Sequence, residues 1–234
     1  MRRIIAATFL TLDGVMQAPG GPEEDRSGGF AFGGWLAGVD DDEIGEAVGE
    51  LFGQPYDLLL GRRTYDIFAA YWPFIPTDPE VAGYDPGTAG IAASFNRVTK
   101  YVATHRPDSL AWDNTTWLGD DVAATLRDLK RSDGPRLVIQ GSSDLIQMLL
   151  GHDLIDEFRL IVAPVVLGTG KRLFGTGTLP RGLKSTRSRL TRLGTLIASY
   201  EPTGDVKTGT FGADTPSDAE IERRNGIMKG KPPA

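Results

Sequence analysis

The chain of 234 residues contains no cysteine and only two histidines. Without cysteine the protein can form no disulfide bond, thiolate metal site or cysteine nucleophile, so packing must hold the fold together. His105 and His152 lie far apart, and neither has carboxylates at the spacings typical of zinc ligands. We therefore predict that the protein holds no metal.

Long apolar runs and an excess of positive charge are also absent. No stretch approaches the roughly 20 apolar residues of a membrane-spanning helix. The net charge of −6 indicates no broad basic face for the phosphates of nucleic acid. Two arginines and the apolar run at 3–10 could begin a signal peptide, but Asp13 and Gly14 follow without a cleavage pattern, which favours a buried strand. We expect a cytoplasmic protein that binds neither membranes nor nucleic acid.

Three common motifs of nucleotide-binding proteins and hydrolases are missing. Residues 168–172 read Gly-Thr-Gly-Lys-Arg, but Val165 replaces the first glycine of a P-loop and Arg172 replaces its serine or threonine. No Gly-x-Ser-x-Gly segment is present, and no Gly-x-Gly-x-x-Gly segment joins a predicted strand to a helix. The sequence therefore argues against an NTPase, a serine hydrolase of the nucleophile-elbow type and a Rossmann dehydrogenase.

What is present is an alternation of short apolar runs with amphipathic segments, which is typical of an α/β fold. The predicted strands are 3–10, 56–60, 98–104, 115–118, 135–140 and 154–168, followed by a hairpin over 189–202 that turns at Gly194. The predicted helices run from Asp40–Asp42 to near Gly53, over 64–70, after an irregular insertion at 72–90, over 120–131 and over 143–150. We expect a mixed, mainly parallel central sheet flanked by helices, with a C-terminal antiparallel hairpin.

Composition divides the chain near residue 203. Residues 1–203 carry the strands and helices of a single domain, and the apolar first strand is predicted to lie at the centre of its sheet. Residues 204–234 are polar and have few large apolar side chains, which predicts a mobile tail with a helical segment around Ser217–Arg224.

Three turns that contain glycine follow apolar runs, namely Asp13-Gly14, Gly61-Arg62-Arg63-Thr64 and Gly141-Ser142-Ser143. A helix that starts directly after such a turn directs unpaired N–H groups and the positive end of its dipole at one point, where an anion can bind. Several such turns on one sheet indicate a ligand that bears phosphate, and a dinucleotide is the leading candidate. The alternative is ordinary turns with solvated arginines and a simple N-cap at Ser142.

Further candidate site residues lie outside the glycine turns. Thr104, His105 and Arg106 end a predicted strand with groups that suit a ribose phosphate. Trp35, Tyr71, Trp72 and Phe74 are candidates for lining a substrate pocket, with Trp35 and Trp72 preferred, although aromatic side chains more often pack in the core. The acidic residues at 40–43 are expected to cap a helix, with one of them able to face a cleft as a proton donor.

Four segments in order resemble the dihydrofolate reductase-like superfamily, most closely its RibD C-terminal (riboflavin biosynthesis reductase)-like branch. They are Thr11–Val15, LLLGRRTYDIF at 58–68, LVIQGSSDLIQMLL at 137–150 and IDEFRLIVAPVVLGTGKRLF at 155–174. Their order and spacing make coincidence improbable, and the resemblance extends over about residues 3–201.

The resemblance implies a reductase that uses NADPH to transfer hydride to a small heterocycle, such as a pteridine or an aminouracil, and that forms a homodimer. It places Asp13–Val15 beside the nicotinamide, with the loop over 16–38 closing over it. It also places Gly61–Thr64 at the cofactor phosphates, Thr104–Arg106 at the adenosine ribose phosphate and Gly141–Leu145 at the pyrophosphate. The predicted cofactor-binding residues are Asp13, Gly14, Val15, Gly61, Arg62, Arg63, Thr64, Thr104, His105, Arg106, Gly141, Ser142, Ser143, Asp144 and Leu145.

Two positions depart from the family's pattern. Ser142 stands where many relatives carry a second glycine, which changes the phosphate pocket. The acidic residue of true dihydrofolate reductases has no clean counterpart, because Gly45 lies between Glu43 and Glu46 in the corresponding stretch. Glu43, Glu46 and Asp13 are therefore the catalytic candidates. The alternatives are a nucleotide-binding or sensing protein without turnover and a relative that binds another phosphorylated ligand.

Overall fold

The computed structural model describes residues 1–39, 41–211 and 215–228. The strands are β1 (Ile4–Thr11), β2 (Tyr56–Gly61), β3 (Lys100–Ala103), β4 (Thr115–Trp117), β5 (Arg136–Gly141), β6 (Glu157–Ala163), β7 (Gly182–Leu190) and β8 (Leu196–Gly204). The helices are α1 (Asp42–Phe52), α2 (Arg62–Ala69), α3 (Pro86–Arg97), α4 (Val122–Arg131), α5 (Ser143–Gly151) and α6 (Asp218–Met228).

The eight strands form one sheet in the order β4-β3-β2-β5-β1-β6-β8-β7. Neighbouring strands are parallel from β4 to β6, whereas β8 is antiparallel to both β6 and β7. This arrangement confirms the predicted mainly parallel sheet and its C-terminal antiparallel hairpin, which turns through Gly194 at a φ of 88°. It also confirms that β1 is a central strand, with β5 on one side and β6 on the other.

Apolar side chains cover both faces of the sheet. Seven of the eight residues of β1 are buried, as expected for a parallel strand between two helical layers. On one face α4 and α5 pack against the sheet through residues such as Leu126 and Leu149. On the other face α1, α2 and α3 contribute Leu51, Tyr65 and Phe95. The carboxyl ends of β2, β3 and β5 therefore share one edge, where open α/β sheets bind ligands.

Several predicted boundaries differ from the structure. The strand predicted over 154–168 is shorter as β6, β7 begins at Gly182 rather than at 189, and α3 begins earlier than expected. The breaker-rich insertion was expected to continue to residue 90, but α3 begins at Pro86. The side chain of Asp85 accepts a hydrogen bond of 2.7 Å from the Thr88 N–H, and Pro86 occupies the first turn, where a missing N–H costs nothing. Asp85 and Pro86 thus start the helix, whereas the sequence analysis had assigned Pro86 to the loop.

The chain divides into two compact units, Met1–Gly204 and Asp205–Ala234. The second unit contains α6, which covers the helical segment predicted around Ser217–Arg224 and extends to Met228. The predicted capping residue Asp40 lies outside the described residues, and Asp41 caps α1 through the Glu43 N–H. No helix in the described ranges has both the length and the apolarity needed to cross a membrane.

Candidate functional site

A cavity of about 1040 Å³ lies at the carboxyl edge of the parallel strands in the first unit. Helices α1, α2 and α3 form its apolar side, and the segment from Met16 to Asp25 forms a second side. The turns at the ends of β2 and β5 close it with Arg63, Thr64 and residues 140–143, and Lys171 completes the lining. The cavity thus has one aromatic side and one end rich in N–H groups, hydroxyls and cations.

Two of the predicted glycine turns meet at the polar end of the cavity. A Cβ atom added to Gly141 would lie 2.5 Å from the Thr64 hydroxyl oxygen. A Cβ atom added to Gly61 would lie 2.9 Å from the Ser142 backbone nitrogen and would overlap the Ser142 hydroxyl. The peptide bond between Gly141 and Ser142 is cis. Only glycine leaves room at these positions, so the β2–α2 and β5–α5 turns lie in direct contact.

The N-termini of α2 and α5 therefore lie side by side. No side chain caps α2, whose N-cap residue is Gly61. Helix α5 is capped by Ser142, whose hydroxyl accepts a long hydrogen bond of 3.4 Å from the Leu145 N–H. Two adjacent helix N-termini combine N–H donors with positive dipole ends, which is the arrangement that favours phosphate groups.

A cluster of aromatic side chains lines another part of the cavity. The Phe95 ring centroid lies 5.0 Å from that of Phe52, 5.7 Å from that of Phe68 and 5.0 Å from that of Trp72. Of the aromatic residues predicted to line a substrate pocket, Tyr71 and Trp72 line this cavity. Flat apolar surfaces of this kind accommodate a heterocyclic ring.

The described residues of helix α1 that line the cavity include no carboxylate. They are Gly45, Val48, Gly49 and Phe52, which recur at helical spacing. The predicted acids Glu43 and Glu46 are elsewhere on α1 and form ion pairs of 3.1 and 3.4 Å with Arg189. The structure therefore does not bring these two candidate proton donors to the cavity.

An ion-paired carboxylate joins the cavity's loop to its polar end. Asp25 accepts a hydrogen bond of 2.8 Å from the Arg63 guanidinium and one of 2.6 Å from the Lys171 ammonium. Although burial acts to raise its pKa, the hydrogen bonds from Lys171 and Ser27 prevail and lower the pKa of Asp25 to about 2. Asp25 is thus a fixed anion that holds two cations at the cavity.

The neighbouring carboxyl group, that of Glu24, is in a different environment. It is half-buried and lines the cavity. One of its oxygens, Oε2, accepts hydrogen bonds of 2.6 Å from the Gly20 N–H and 3.2 Å from the Gly21 N–H. Desolvation outweighs these two bonds and raises the pKa of Glu24 above its ordinary value of 4.5.

The predicted residues for the ribose phosphate lie together on the outer rim of the same sheet edge. Arg62 donates to the Arg106 carbonyl oxygen at 3.1 Å and to the Ser109 hydroxyl at 2.6 Å. Asp66 accepts from Arg62 at 2.8 Å and lies 3.8 Å from the Arg106 guanidinium. His105 and Arg106 are exposed, whereas Thr104 is buried and accepts from the Arg106 N–H. The two arginines are adjacent at a position that solvent reaches.

The remaining predicted residues have structural contacts outside the cavity lining. Trp35 is buried, and its indole N–H donates to the Gln17 carbonyl oxygen at 2.9 Å, which holds the loop before α1 in place. Leu145 is buried in the core, and Asp144 is exposed in the first turn of α5. Gly14 adopts a φ of 80°, and Val15 is fully buried beside Gly170.

The predicted Asp13-Gly14 turn holds the loop after β6 in place. The Asp13 carboxylate accepts from the Thr11 hydroxyl at 2.6 Å, from the Leu167 N–H at 3.2 Å and from the Gly168 N–H at 2.8 Å. It also pairs with Arg172 at 3.2 Å. The hydrogen bond from Thr11, with those from the two amides, lowers the pKa of Asp13 to about 2. This group is ionised at neutral pH and fastens the loop after β6, which carries Lys171 to the cavity.

Replacing Asp13 by asparagine should lower the free energy of unfolding at pH 7 by about 1–2 kcal/mol, because partly buried hydrogen bonds to a charged acceptor are weakened. The folded pKa of about 2 lies below the ordinary 3.8, so the stability from ionised Asp13 is complete above pH 3.8 and disappears as the pH falls toward 2. Urea unfolding of wild type and Asp13→Asn at pH 6 and pH 3 should therefore show a smaller difference at pH 3. An equal difference at both pH values would contradict this role.

The loop over 16–38 was expected to close over the site, and its residues 16–25 do line the cavity. Sequence reasoning missed Lys171 and did not identify which side chains of the loop contribute. The Gln17 side chain donates to the carbonyl oxygens of Asp25 and Ser27 and accepts from the Lys171 N–H, so one amide shapes this side of the cavity. The available signal was the acidic run Glu23, Glu24 and Asp25. It lies in a glycine-rich loop that also carries aromatic residues able to anchor it, and this composition is typical of an ordered functional loop and not of a disordered linker.

Comparison with known proteins agrees with this architecture. The sequence profile described as RibD C-terminal domain matches residues 2–198. The chain is 27% identical over 173 residues to the uncharacterised protein YyaP of Bacillus subtilis (strain 168), covering 74% of this chain and 80% of that protein. It is 31% identical over 117 residues to the uncharacterised protein YwjB of the same organism, covering 50% of this chain and 57% of that protein.

Solved structures share the fold at low sequence identity. A candidate riboflavin biosynthesis protein from Shewanella sp. PV-4 superimposes with a TM-score of 0.60 at 20% identity, covering 86% of this chain and 99% of the other. A pyrimidine reductase-like protein from Corynebacterium diphtheriae gives 0.54 at 13% identity, covering 87% and 93%. Dihydrofolate reductase from Enterococcus faecalis, in complex with NADP(H) and RAB-propyl, gives 0.52 at 13% identity, covering 86% and 96%.

Proposed function

Because this chain belongs to the RibD C-terminal domain family, we propose that it is an NADPH-dependent reductase of a small heterocyclic substrate. The observation that carries the proposal is the direct contact of the β2–α2 and β5–α5 turns, which sets two helix N-termini at the polar end of a cavity with an aromatic side. A phosphate-bearing cofactor needs N–H donors and positive dipole ends, whereas a flat substrate ring needs apolar surface. This cavity provides both.

The residues at the polar end fit a dinucleotide. The first-turn amides of α2 and α5 and the hydroxyls of Thr64 and Ser142 would hold the pyrophosphate, and Gly61 and Gly141 leave space for its close approach. Arg62 and Arg106 on the rim would pair with the 2′-phosphate of the adenosine ribose. When bound, the cofactor supplies a hydride from its nicotinamide ring.

The protein's contribution is to orient the substrate and exclude water. Phe52, Phe68 and Trp72 provide flat apolar contacts for a heterocycle of the pteridine or aminouracil type. The Met16–Asp25 segment covers the other side, fixed by the pairs of Asp25 with Arg63 and Lys171. A rigid apolar site of this kind holds reacting atoms at short distance, which supplies much of the rate enhancement of a hydride transfer.

Two measurements test the proposal in sequence. Titration with NADPH, followed by its fluorescence, should show saturable binding at one site per chain. Oxidation of NADPH at 340 nm should then be followed with a panel of dihydropterins, aminouracils and quinones, and one compound should give saturable turnover with a reduced product. Failure of NADPH to bind, or binding displaced equally well by inorganic phosphate, would contradict the proposal.

A second candidate function is nucleotide sensing without turnover. It is favoured by one observation, the absence of a carboxylate among the α1 residues that line the cavity. A sensor would bind NADPH at the same turns but would consume none of it with any member of the panel. The same two measurements therefore separate the two functions.

The expected organisation of the molecule follows from the family and is also testable. We propose a domain over residues 1–203 with a C-terminal tail, assembled as a cytoplasmic homodimer. Light scattering coupled to size-exclusion chromatography should give twice the chain mass of 25.2 kDa. A mass equal to one chain would contradict the dimer and leave the cofactor site unaffected.

A further inference from the structure

If the chain is a reductase, a proton must reach the substrate as well as a hydride. Reduction of a C=N bond adds a hydride to carbon and a proton to nitrogen, so an acid in contact with the cavity is required. Among the described residues that line the cavity, three are acidic, namely Glu23, Glu24 and Asp25. The candidate acids on α1 do not line it.

Two of these three acids form ion pairs. Glu23 is 72% exposed and pairs with Arg26 at 2.6 Å. Asp25 is held between the cations of Arg63 and Lys171, and a carboxylate with two cationic partners does not release or take up a proton near neutral pH. Glu24 alone of the three combines partial burial with a carboxyl group outside any ion pair in the described part of the chain.

We propose that Glu24 is the catalytic acid that gives a proton to a ring nitrogen of the substrate. This inference rests on the proposed reductase function and narrows its substrate to a heterocycle whose reducible bond is C=N. The Glu24 carboxyl group loses its proton to nitrogen while the carbon of the same bond receives the hydride, and the resulting carboxylate takes a proton back from water. Atoms and charge balance with the nicotinamide as the only reductant.

The geometry holds Glu24 at the required place. Its Oε2 is bound to the Gly20 and Gly21 amides, and the next residue, Asp25, is tied to Arg63 in the first turn of α2. The two amides thus fix the carboxyl group, and the Asp25–Arg63 contact fixes the backbone next to it. Both lie beside the β2–α2 turn that we assign to the cofactor. Oε1 has no hydrogen-bond partner among the described residues and is available to a substrate.

The electrostatics suit a proton donor. Burial raises the pKa of Glu24, so more of the acid form is present near neutral pH than in an exposed glutamate. Asp25 raises this pKa further by repulsion between like charges. The other ionisable groups that line the cavity are Glu23 on the same loop, Arg63 on α2, Tyr71 after α2 and Lys171 beyond β6.

The test compares Glu24→Gln with Glu23→Gln and Tyr71→Phe. Glutamine retains an oxygen for the two amides, so we expect the variant to fold and to bind NADPH within about twofold of wild type. Carbon-13 NMR of glutamate-labelled protein with NADP⁺ bound should show one carboxyl carbon that titrates above the ordinary range of glutamate. That signal should be lost in Glu24→Gln and kept in Glu23→Gln.

Single-turnover reduction of a 7,8-dihydropterin by the NADPH-loaded enzyme supplies the second readout. The wild-type rate should fall as the pH rises through the pKa of Glu24, because only the protonated acid donates. Glu24→Gln should be slower by about 100-fold and lose this dependence, whereas Tyr71→Phe should keep it. An unchanged rate and pH profile in Glu24→Gln, or transfer of the effect to Tyr71→Phe, would overturn the assignment. Wild type that fails to bind NADPH, or that binds it and reduces no compound, would instead refute the proposed function, and the assignment with it.

Discussion

Replacing Gly61 by alanine is expected to raise the Kd for NADPH by at least about tenfold, which corresponds to about 1.4 kcal/mol. The new Cβ would lie 2.9 Å from the Ser142 nitrogen, so the β2–α2 and β5–α5 turns would have to separate. Gly61 has a φ of −74°, which every residue adopts, so the cost comes from the close contacts with Ser142 alone. Overpacking of this kind should also lower the free energy of unfolding by about 1–3 kcal/mol, measured by urea denaturation.

Two further variants make the Gly61 experiment specific. Gly90→Ala on α3 adds the same methyl group where nothing lies within 4 Å, and it should leave NADPH binding unchanged while stabilising the fold by about 0.5–1 kcal/mol. Adding Ser142→Gly to Gly61→Ala removes two of the three close contacts and should restore part of the affinity and stability. Wild-type behaviour of Gly61→Ala would show that the turns are not in tight contact.

The second large effect is expected at the rim. Arg106→Ala should weaken NADPH by about tenfold and leave NADH unchanged, because only NADPH carries a 2′-phosphate for the guanidinium. Arg106 is a better position than Arg62 for testing the contact with the 2′-phosphate. Arg62 also binds Asp66 and Ser109, so its loss would disturb the structure of the rim itself. The side chain of Arg106 is 68% exposed, so its removal leaves no buried partner without a hydrogen bond.

The measurement is a fluorescence titration with each cofactor at low and high salt. The preference of wild type for NADPH should shrink as salt rises, because an exposed ion pair is screened. Arg131→Ala, which removes an exposed arginine from α4, serves as the control for net charge and should bind both cofactors as wild type does. Equal weakening of NADPH and NADH by Arg106→Ala would refute a 2′-phosphate site at this position.

The sheet was predictable because its signals are local. The continuous apolar runs of β1 and β2, and the glycines that end β2 and β5 before a helix, follow from burial and backbone freedom alone. The same local rules misplaced the start of α3. There, Pro86 and Gly87 were interpreted as breakers, although Asp85 and Pro86 together form a standard helix start.

The cavity was less predictable because its contacts join distant parts of the chain. Asp25 is 146 positions from Lys171, and Asp13 is 154 positions from Leu167, and no spacing rule connects such pairs. Glycine turns indicate that an anion site is possible, but they do not say which turns touch. The roles of Asp13 in loop anchoring and of Trp35 in holding the loop before α1 therefore emerged only from the folded structure.

The central claim is that the contacting turns of β2 and β5 bind a dinucleotide, and a crystal structure of the protein soaked with NADPH tests it most directly. The pyrophosphate oxygens should lie about 2.7–3.2 Å from first-turn amide nitrogens of both α2 and α5, with the 2′-phosphate beside Arg106 and the nicotinamide inside the aromatic cavity. A nucleotide bound elsewhere on the molecule, or one that contacts only one of the two helices, would contradict the account.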